Sequence, residues 1–545
     1  MHFCGLPNEL IEQIFLHLYP LDIVSCRLVS RQLHNLIESS CLLQLLLEAA
    51  LDGLLLAPNT IHARGPLTSG ELLSRLIQTR NAWKSSRPLS LWSIPYSGST
   101  LRYEICDGIL AISTKVVLQD SPTSDIVFVE LASPNMKPGY IHLLRDIEME
   151  IRDITMLPAA DLVVLLEGDQ SSNKPFRIHF KAISNGNPHP LAAKSVLEAL
   201  DPSLQTLQEH GKALIMLNHD IVVLFVSEFT TWTTRRAGFM AWNWKTGNLI
   251  TPYRHALDGV FLSRYQMLLV VDFQNQHLEW SDISSMGLVV YDFRTSKITH
   301  VVQLPVSSIP CAILYTYAPQ SVHLQSPAEV AASFTPDPSL DIIVLEFGVH
   351  RLGHDFCFVI FSVCHLIDAC DRTLAEQFGT GPATIKWEDW GAHGSRWFPE
   401  NSLTCSGERA IFGSRMITSG TVSLQDNQIS IPGPWSKSSS MILDFNPRPI
   451  RRAALDSTDH IDGFKTVPGT SRWTVTQWNG EEVSIDSSLP FRMFVFDFKF
   501  HTRKLHLHHS AIVAQQAQSY DIYSFLPDPV YEDGENTMAL DSLTK

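Results

Sequence analysis

The feature that most constrains this chain is the segment 6–38, where three short apolar stripes at helical spacing follow one another in a stretch too small to bury them all. Pro7 suits the first position of a helix, where a missing N–H costs nothing. Leu10, Ile14 and Leu18 then recur every fourth residue, and Ile11 and Phe15 widen the stripe. Pro20 stops that helix and opens the next, along which Leu21, Val24 and Leu28 share a face. A third apolar face, Val29, Leu33, Leu36 and Ile37, is set against Arg27, Arg31 and Gln32. A module of about 40 residues with two apolar faces needs the rest of the chain, or a partner, to cover one.

The order Leu6-Pro7, Glu9-Leu10, Ile14-Phe15, Leu18, Asp22, Cys26-Arg27, Val29-Ser30-Arg31 resembles an F-box. In that family the trihelical segment docks onto the small Skp-type adaptor of cullin–RING ubiquitin ligases. The resemblance therefore implies the substrate-recognition subunit of an SCF-type ligase, reaching the cullin through the adaptor and holding a protein substrate on the rest of the chain. Carried over position by position, it implies adaptor contact through Leu6, Pro7, Leu10, Ile14, Leu18 and Val29. Leu21, Leu28 and Leu33 are expected to hold the three helices together. Such a receptor supplies proximity and orientation rather than a nucleophile or base, so no enzyme activity is expected. The other reading of the same stripe is a helical cap that belongs to the protein's own core.

Leu43–Leu56 and Glu71–Trp83 resemble the region behind the box in many fungal F-box proteins. Thr68 and Glu71 have the spacing of a capping box, ahead of a face formed by Leu72, Leu73, Leu76 and Ile77. Pro88 separates this helix from the β-rich remainder of the chain. The region is expected to act mechanically, holding the box rigidly relative to the substrate domain.

Composition sets the outer limits. A chain of 545 residues with 45% hydrophobic and 18% charged residues is globular and long enough for more than one domain. The net charge of −15 argues against general binding of nucleic acid or anionic membranes. Glu9 and Glu12 interrupt any signal-peptide pattern, and Glu48 and Asp52 break the best apolar run. Nine cysteines without a framework fit a reducing compartment. The expected location is cytoplasmic, nuclear or both.

From about residue 90 the texture changes to short runs rich in β-branched and aromatic residues, such as Ile109–Leu118, Leu162–Leu166, Ile221–Phe225, Met267–Phe273, Ile342–Phe347 and Met493–Phe498. Some share an ending. Trp242-Asn243-Trp244, Tyr291-Asp292-Phe293, Phe496-Asp497-Phe498 and, more loosely, Leu443-Asp444-Phe445 each place Asp or Asn between bulky residues before a polar turn. Asn243 and Asp292 lie 49 residues apart, the length of one four-stranded propeller blade. Alternation puts the flanking aromatics on one side of a sheet and leaves the Asp or Asn free to accept backbone hydrogen bonds at the turn. The unit expected is a buried inner strand, a variable loop and an outer strand with this ending. The fold class is therefore α+β multidomain. An all-α F-box (1–45) and helical linker (46–90) precede a large all-β domain (91–530), a β-propeller of six to eight blades, and a flexible acidic tail (531–545). A β-sandwich is the alternative. Helical insertions are expected at Ala193–Leu207 and around Leu366–Phe378.

Within the β domain, Cys357, Cys364 and Cys370 with His354 and His365 lack the short spacing of structural zinc hooks, and no metal or other cofactor is expected. His501, His506, His508 and His509 read as the solvent face of an edge strand. Glycine-rich phosphate loops, nucleophile elbows, His-Glu-x-x-His and dinucleotide fingerprints are absent. Trp387, Trp390 and Trp397, three tryptophans within eleven residues interleaved with glycine and charge, are the candidate substrate-contacting loop. Wedging between adjacent blades is the competing role for them. Two alternatives to a ligase receptor stay open: a propeller scaffold acting outside ubiquitin transfer, and a propeller enzyme with a helical cap.

Overall fold

A computed structural model describes residues 6–526 except 57–66, 96–98, 107, 118–121, 132–140, 168–174, 200–211, 230–234, 273–285, 306–310, 318–333, 350–354, 377–380, 399–403, 406–409, 421–422, 426–427, 431–438, 457–463, 468–469, 477–481, 497–504, 509 and 517–518. The acidic tail expected at 531–545 lies outside these residues.

Short polar side chains set the helix boundaries at the N-terminal end. Helices α1 (Asn8–Phe15), α2 (Pro20–Arg27), α3 (Arg31–Ser39) and α4 (Cys41–Leu51) follow one another almost without loops. Pro20 opens α2, while the hydroxyls of Ser30 and Ser40 accept from the amides of Leu33 and Leu43, each at 3.2 Å, capping α3 and α4. Ser40 also donates to Glu12, tying α4 back to α1. Helix α5 (Ser69–Lys84) begins with the expected capping box: Thr68 N donates to Glu71 Oε2 at 2.7 Å and Glu71 N donates to Thr68 Oγ1 at 3.3 Å.

Ile11, Phe15, Ile23, Leu33, Ile37 and Leu43 form the core of the first four helices. Leu33 takes the core role expected of it, but Leu21 and Leu28 do not. They are 67% and 84% exposed, and the residue of α2 that closes the core is Ile23, with Cys26 packed beside it. Leu21, Val24 and Leu28 do share one helical face; that face points outward.

Seven sheets follow, each antiparallel through its successive strands. Blade 1 runs Ser99–Cys106, Ile109–Val117, Pro122–Glu130 and Ile141–Ile147. Blade 2 runs Ile151–Leu157, Leu162–Glu167, Arg177–Ala182 and Val196–Glu198. Blade 3 runs Lys212–Asn218, Ile221–Phe229, Arg235–Asn243 and Asn248–Arg254. Blade 4 runs Ala256–Phe261, Gln266–Asp272, Met286–Asp292 and Lys297–Val302, with Ala383–Ile385 added in parallel on its outer edge. Blade 5 runs Cys311–Tyr317, Ile342–Val349, Asp355–Ser362 and Ser395–Phe398. Blade 6 takes its first strand from the short pieces Thr404–Cys405 and Ile411–Phe412 and continues through Arg415–Gly420, Ser439–Asp444 and Phe491–Val495. Blade 7 takes Leu505–Leu507, Ala511–Gln515 and Ser519–Ser524 from the end of the domain and its outermost strand, Ser90–Pro95, from the beginning. That pairing closes the ring and removes two free sheet edges.

Apolar clusters join every consecutive pair of blades, including blade 7 to blade 1, where Ala511, Val513, Tyr520 and Ile522 meet Leu110, Ile112 and Val129. One hydrogen bond is repeated in all seven blades. The residue that follows the third strand donates its N–H to the carbonyl of the turn between the first and second strands. The pairs are Leu131 to Gly108, Ile183 to Asp161, Trp244 to Asp220, Phe293 to Tyr265, Val363 to Asp341, Phe445 to Ser414 and Phe525 to Ser510, at 2.8–3.0 Å. The expected aromatic–Asp–aromatic ending sits at this place. Asn243, Asp292 and Asp444 accept through Oδ1 from the amides of Thr246, Arg294 and Asn446 at 3.0, 2.7 and 3.0 Å. The expected unit needs one change, because these endings close the third strand of four rather than the outermost. Asp497 lies outside the described residues.

Two further expectations are corrected. Val196–Glu198, within the predicted helix Ala193–Leu207, is the outer strand of blade 2. His506 and His508 are buried, not on a solvent face; His506 packs against Tyr103 with ring centroids 4.5 Å apart. The strand Leu505–Leu507 is the first of its blade, covered on both sides, so period-2 alternation there does not mark solvent. The predicted short helix does form, as α6 (Val363–Glu376).

Candidate functional site

The box presents a surface its own core does not need. Leu10 and Ile14 on α1, Leu21 and Val24 on α2, and Leu28 and Val29 just after it are 51%, 40%, 67%, 42%, 84% and 74% exposed. Tyr19, between α1 and α2, is 80% exposed. Of the expected adaptor contacts, Leu10, Ile14 and Val29 stand on this surface and Pro7 is exposed. Leu6 and Leu18 are half-buried against the box core. Tyr19, Leu21, Val24 and Leu28 stand on the same surface, although they are not among the contacts expected from the sequence. A helical stripe alone does not say whether it faces inward or toward a partner.

The helical unit is anchored to the propeller through blades 5, 6 and 7. Asp337 N donates to the carbonyl of Gly53 at 2.8 Å, and Leu54–Leu56 pairs with Phe334–Pro336. Gly53 has φ +75°, and a side chain there would press on Asn446 and Leu340. The last carbonyls of α4 are capped from blade 6: Asn446 Nδ2 donates to Leu51 O at 2.9 Å and Arg448 Nη1 to Ala50 O at 2.8 Å. Arg448 Nη2 also meets Asp337 Oδ2 at 2.5 Å. Within the unit, Arg80 of α5 donates to Asp52 Oδ1 at 2.8 Å and to Glu48 O at 2.9 Å, locking α5 to α4. Burial disfavours the Arg80 charge, but Asp52 and Glu48 more than offset this and raise its pKa. At blade 7, Trp83 stacks on Phe525. The contacts with the propeller use the segments between first and second strands or those after third strands, which lie at one end of the ring.

The tryptophans expected on a substrate-contacting loop are core residues. Trp387, Trp390 and Trp397 are 9%, 3% and 2% exposed and pack among the side chains of blades 4 and 5. Trp387 and Trp390 sit on helix α7 (Trp387–Gly394), edge to face with centroids 5.2 Å apart. Trp390 Nε1 donates to Gln303 O at 3.1 Å. Gly391 leaves room for the ring of Trp387 one turn earlier in α7, which a Cβ would meet at 2.0 Å, and Gly394 lets α7 approach α6, where a Cβ would meet His365 at 2.7 Å. The glycines that suggested a loop instead permit tight packing.

Among the described residues no group of three or more His, Cys, Asp or Glu is placed to hold a metal ion. The Cys370 thiol is pushed up to about 12 by burial, with Asp371 adding to the shift, which keeps it protonated and inert as a nucleophile. No described helix is long and apolar enough to cross a membrane.

Residues 3–45 match the F-box domain family. No curated protein matches the chain. Among solved structures it is similar to the WD40 domain of SCAP from fission yeast, at 8% identity and TM-score 0.31 over 80% of this chain and 98% of that one. It is also similar to Drosophila Semaphorin 2a, at 8% identity and TM-score 0.36 over 82% and 77%, and to Sqt1 from Chaetomium thermophilum, at 10% and 0.28 over 73% and 97%. The blade count rests on the strand pairing above and not on these distant likenesses. A matched box at its head and a closed ring of seven blades behind it make this chain an F-box protein with a C-terminal β-propeller.

Proposed function

We propose that this chain is the substrate-recognition subunit of an SCF-type cullin–RING ubiquitin ligase. The observation that carries the proposal is the pairing of a complete box core, Ile11, Phe15, Ile23, Leu33 and Ile37, with an uncovered apolar face running from Leu10 to Val29. A face of that kind on so small a unit marks a protein partner. The Skp-type adaptor is the partner to which F-boxes bind, and the cullin follows through it. Leu10, Ile14, Leu21, Val24, Leu28 and Val29 form the centre of the contact, with Leu6, Pro7 and Leu18 at its border.

The linker transmits position. Arg448, Asn446 and the Trp83–Phe525 stack hold the helices against blades 5–7, so a protein held by the propeller keeps a fixed distance from the adaptor. The chain contributes proximity and orientation, and the ubiquitin-charged enzyme brings the chemistry.

Affinity purification of the tagged chain, wild type against Leu10→Asp with Ile14→Asp, tests this. Wild type is expected to bring down adaptor and cullin, and the variant neither. Adaptor without cullin in the wild-type sample would instead indicate a role outside ubiquitin transfer.

A further inference from the structure

Blades 3 and 4 carry a built cationic surface at the same end of the ring as the helical unit. Tyr265, in the turn between the first two strands of blade 4, has two guanidinium groups against its ring: the Cζ of Arg264 is 5.1 Å from the ring centroid and that of Arg294 is 5.6 Å away. Each cation is held in place by a carboxylate. Asp220 bonds Arg264 Nη2 and Lys245 Nζ, both at 2.8 Å. Asp292 Oδ2 meets Arg294 Nη2 at 2.6 Å, and its Oδ1 also accepts the Arg294 amide. The underlying backbone is fixed by Trp244 N donating to Asp220 O and Phe293 N to Tyr265 O. Lys194 lays its stem across Gly247, two residues past Lys245, and Lys297 pairs with Asp292 across the turn 293–296 that carries Arg294.

The result is five cations against two carboxylates on a chain whose net charge is −15. The side chains of Lys245, Arg264 and Arg294 remain 45%, 47% and 60% exposed. A guanidinium has five donors, and Arg294 commits only Nε and Nη2 to Asp292, so N–H groups still point outward. Planar forks held by carboxylates and an aromatic ring are preorganised for oxyanions.

We propose that Lys194, Lys245, Arg264, Tyr265, Arg294 and Lys297 form a docking surface for an acidic, Asp/Glu-rich segment of a partner protein, beside the helical unit. A short segment fits better than an extended polyanion. The overall negative charge repels a long nucleic acid or an anionic membrane, whereas fields beyond about 10 Å are screened at 0.1 M salt and leave the local patch in control. This proposal does not depend on adaptor binding by the box.

Fluorescence anisotropy on the full-length chain tests it with a fluorescein-labelled peptide alternating glutamate and glycine. Parallel arms use a phosphoserine–glycine peptide, a glutamine–glycine peptide and a single-stranded oligonucleotide of equal length. The glutamate peptide is expected to bind and the glutamine peptide not. Arg264→Ala with Arg294→Ala is expected to weaken binding about tenfold or more, and raising salt from about 0.05 to about 0.3 M to weaken it severalfold. Arg472→Ala, on the hairpin of Ser471–Thr476 and Glu482–Ser487 where the exposed Arg472 side chain pairs with Asp486, is expected to leave binding unchanged. If the double variant does not fold, Lys194→Glu with Lys297→Glu is expected to give the same loss. Absent binding, equal binding by folded variants, a preference for the oligonucleotide, or binding by the phosphopeptide alone would each overturn the assignment.

Discussion

Trp83 and Phe525 stack face to face, with ring centroids 3.6 Å apart and planes 14° from parallel. Trp83 lies in the last turn of the linker helix α5, while the amide of Phe525 donates to Ser510 O, the seventh instance of the hydrogen bond repeated round the ring. The contact therefore joins the mechanical linker to the blade that closes the propeller. Trp83→Ala is expected to cost about 3–5 kcal/mol, as for large aromatics removed from a packed site. Limited proteolysis should then cut between α5 and Ser90 several times faster than in wild type, while the isolated box surface still binds its partner.

Arg448 reaches from blade 6 to both Ala50 O and Asp337. Arg448→Ala removes one of the two side-chain caps of α4, leaving that of Asn446, and leaves Asp337 without this cation. The α4 amides are expected to exchange with deuterium about tenfold faster, a change of about 1.4 kcal/mol in local opening. Affinity for the adaptor should change less than twofold, because Arg448 stands on the propeller side of the unit.

Trp390 separates a core role from a binding role. With its ring packed against Phe361 and Trp387 and its indole N–H donated to Gln303 O, Trp390→Ala should destabilise the propeller by about 3–5 kcal/mol in urea unfolding. Trp390→Phe keeps most of the ring and loses the hydrogen bond, so a loss of about 1–3 kcal/mol is expected.

Asp444 is fully buried, bonded to Arg492 Nη2 at 2.6 Å and to Ser414 Oγ at 3.0 Å, with Arg415 Nε at 3.5 Å. Burial pushes its carboxyl up, but Arg492, Arg415 and the Asn446 amide more than offset this and hold it below the ordinary value of 3.8. A carboxylate with a depressed folded-state pKa contributes stability that is present above its unfolded pKa. That contribution is lost as pH falls through the folded value. Wild-type stability should therefore drop on acidification below about pH 4. Asp444→Asn should be less stable by about 3–5 kcal/mol at neutral pH and show a flatter acid limb in pH-resolved denaturation.

Much of this architecture is legible in local patterns, and the failures share a physical cause. The capping box at Thr68 and Glu71 is a contact across three residues and can be read directly. So can the Asn243 and Asp292 endings, whose role as turn acceptors follows from strand alternation. Leu21 and Leu28 escape correct assignment because amphipathicity identifies a face without saying what covers it. Trp387 and Trp390 read as loop residues because Gly391 and Gly394 look like breakers, whereas Gly391 makes room for the Trp387 ring within α7 and Gly394 sits where α7 meets α6. His506 and His508 look exposed because a strand with neighbours on both sides can carry polar residues toward another blade. The Arg264–Tyr265–Arg294 cluster has no sequence signal, since only the blade turns bring Arg294 to Tyr265.

The central claim is that the face from Leu10 to Val29 is kept for the Skp-type adaptor. Titration calorimetry of purified adaptor into the full chain, wild type against Leu21→Asp with Leu28→Asp, tests it most directly. Both side chains are more than half exposed, so the variant should unfold at the wild-type temperature while its affinity falls at least about 100-fold, or 2.7 kcal/mol. Undiminished affinity in a folded double variant, or no binding by the wild-type chain, would contradict the account.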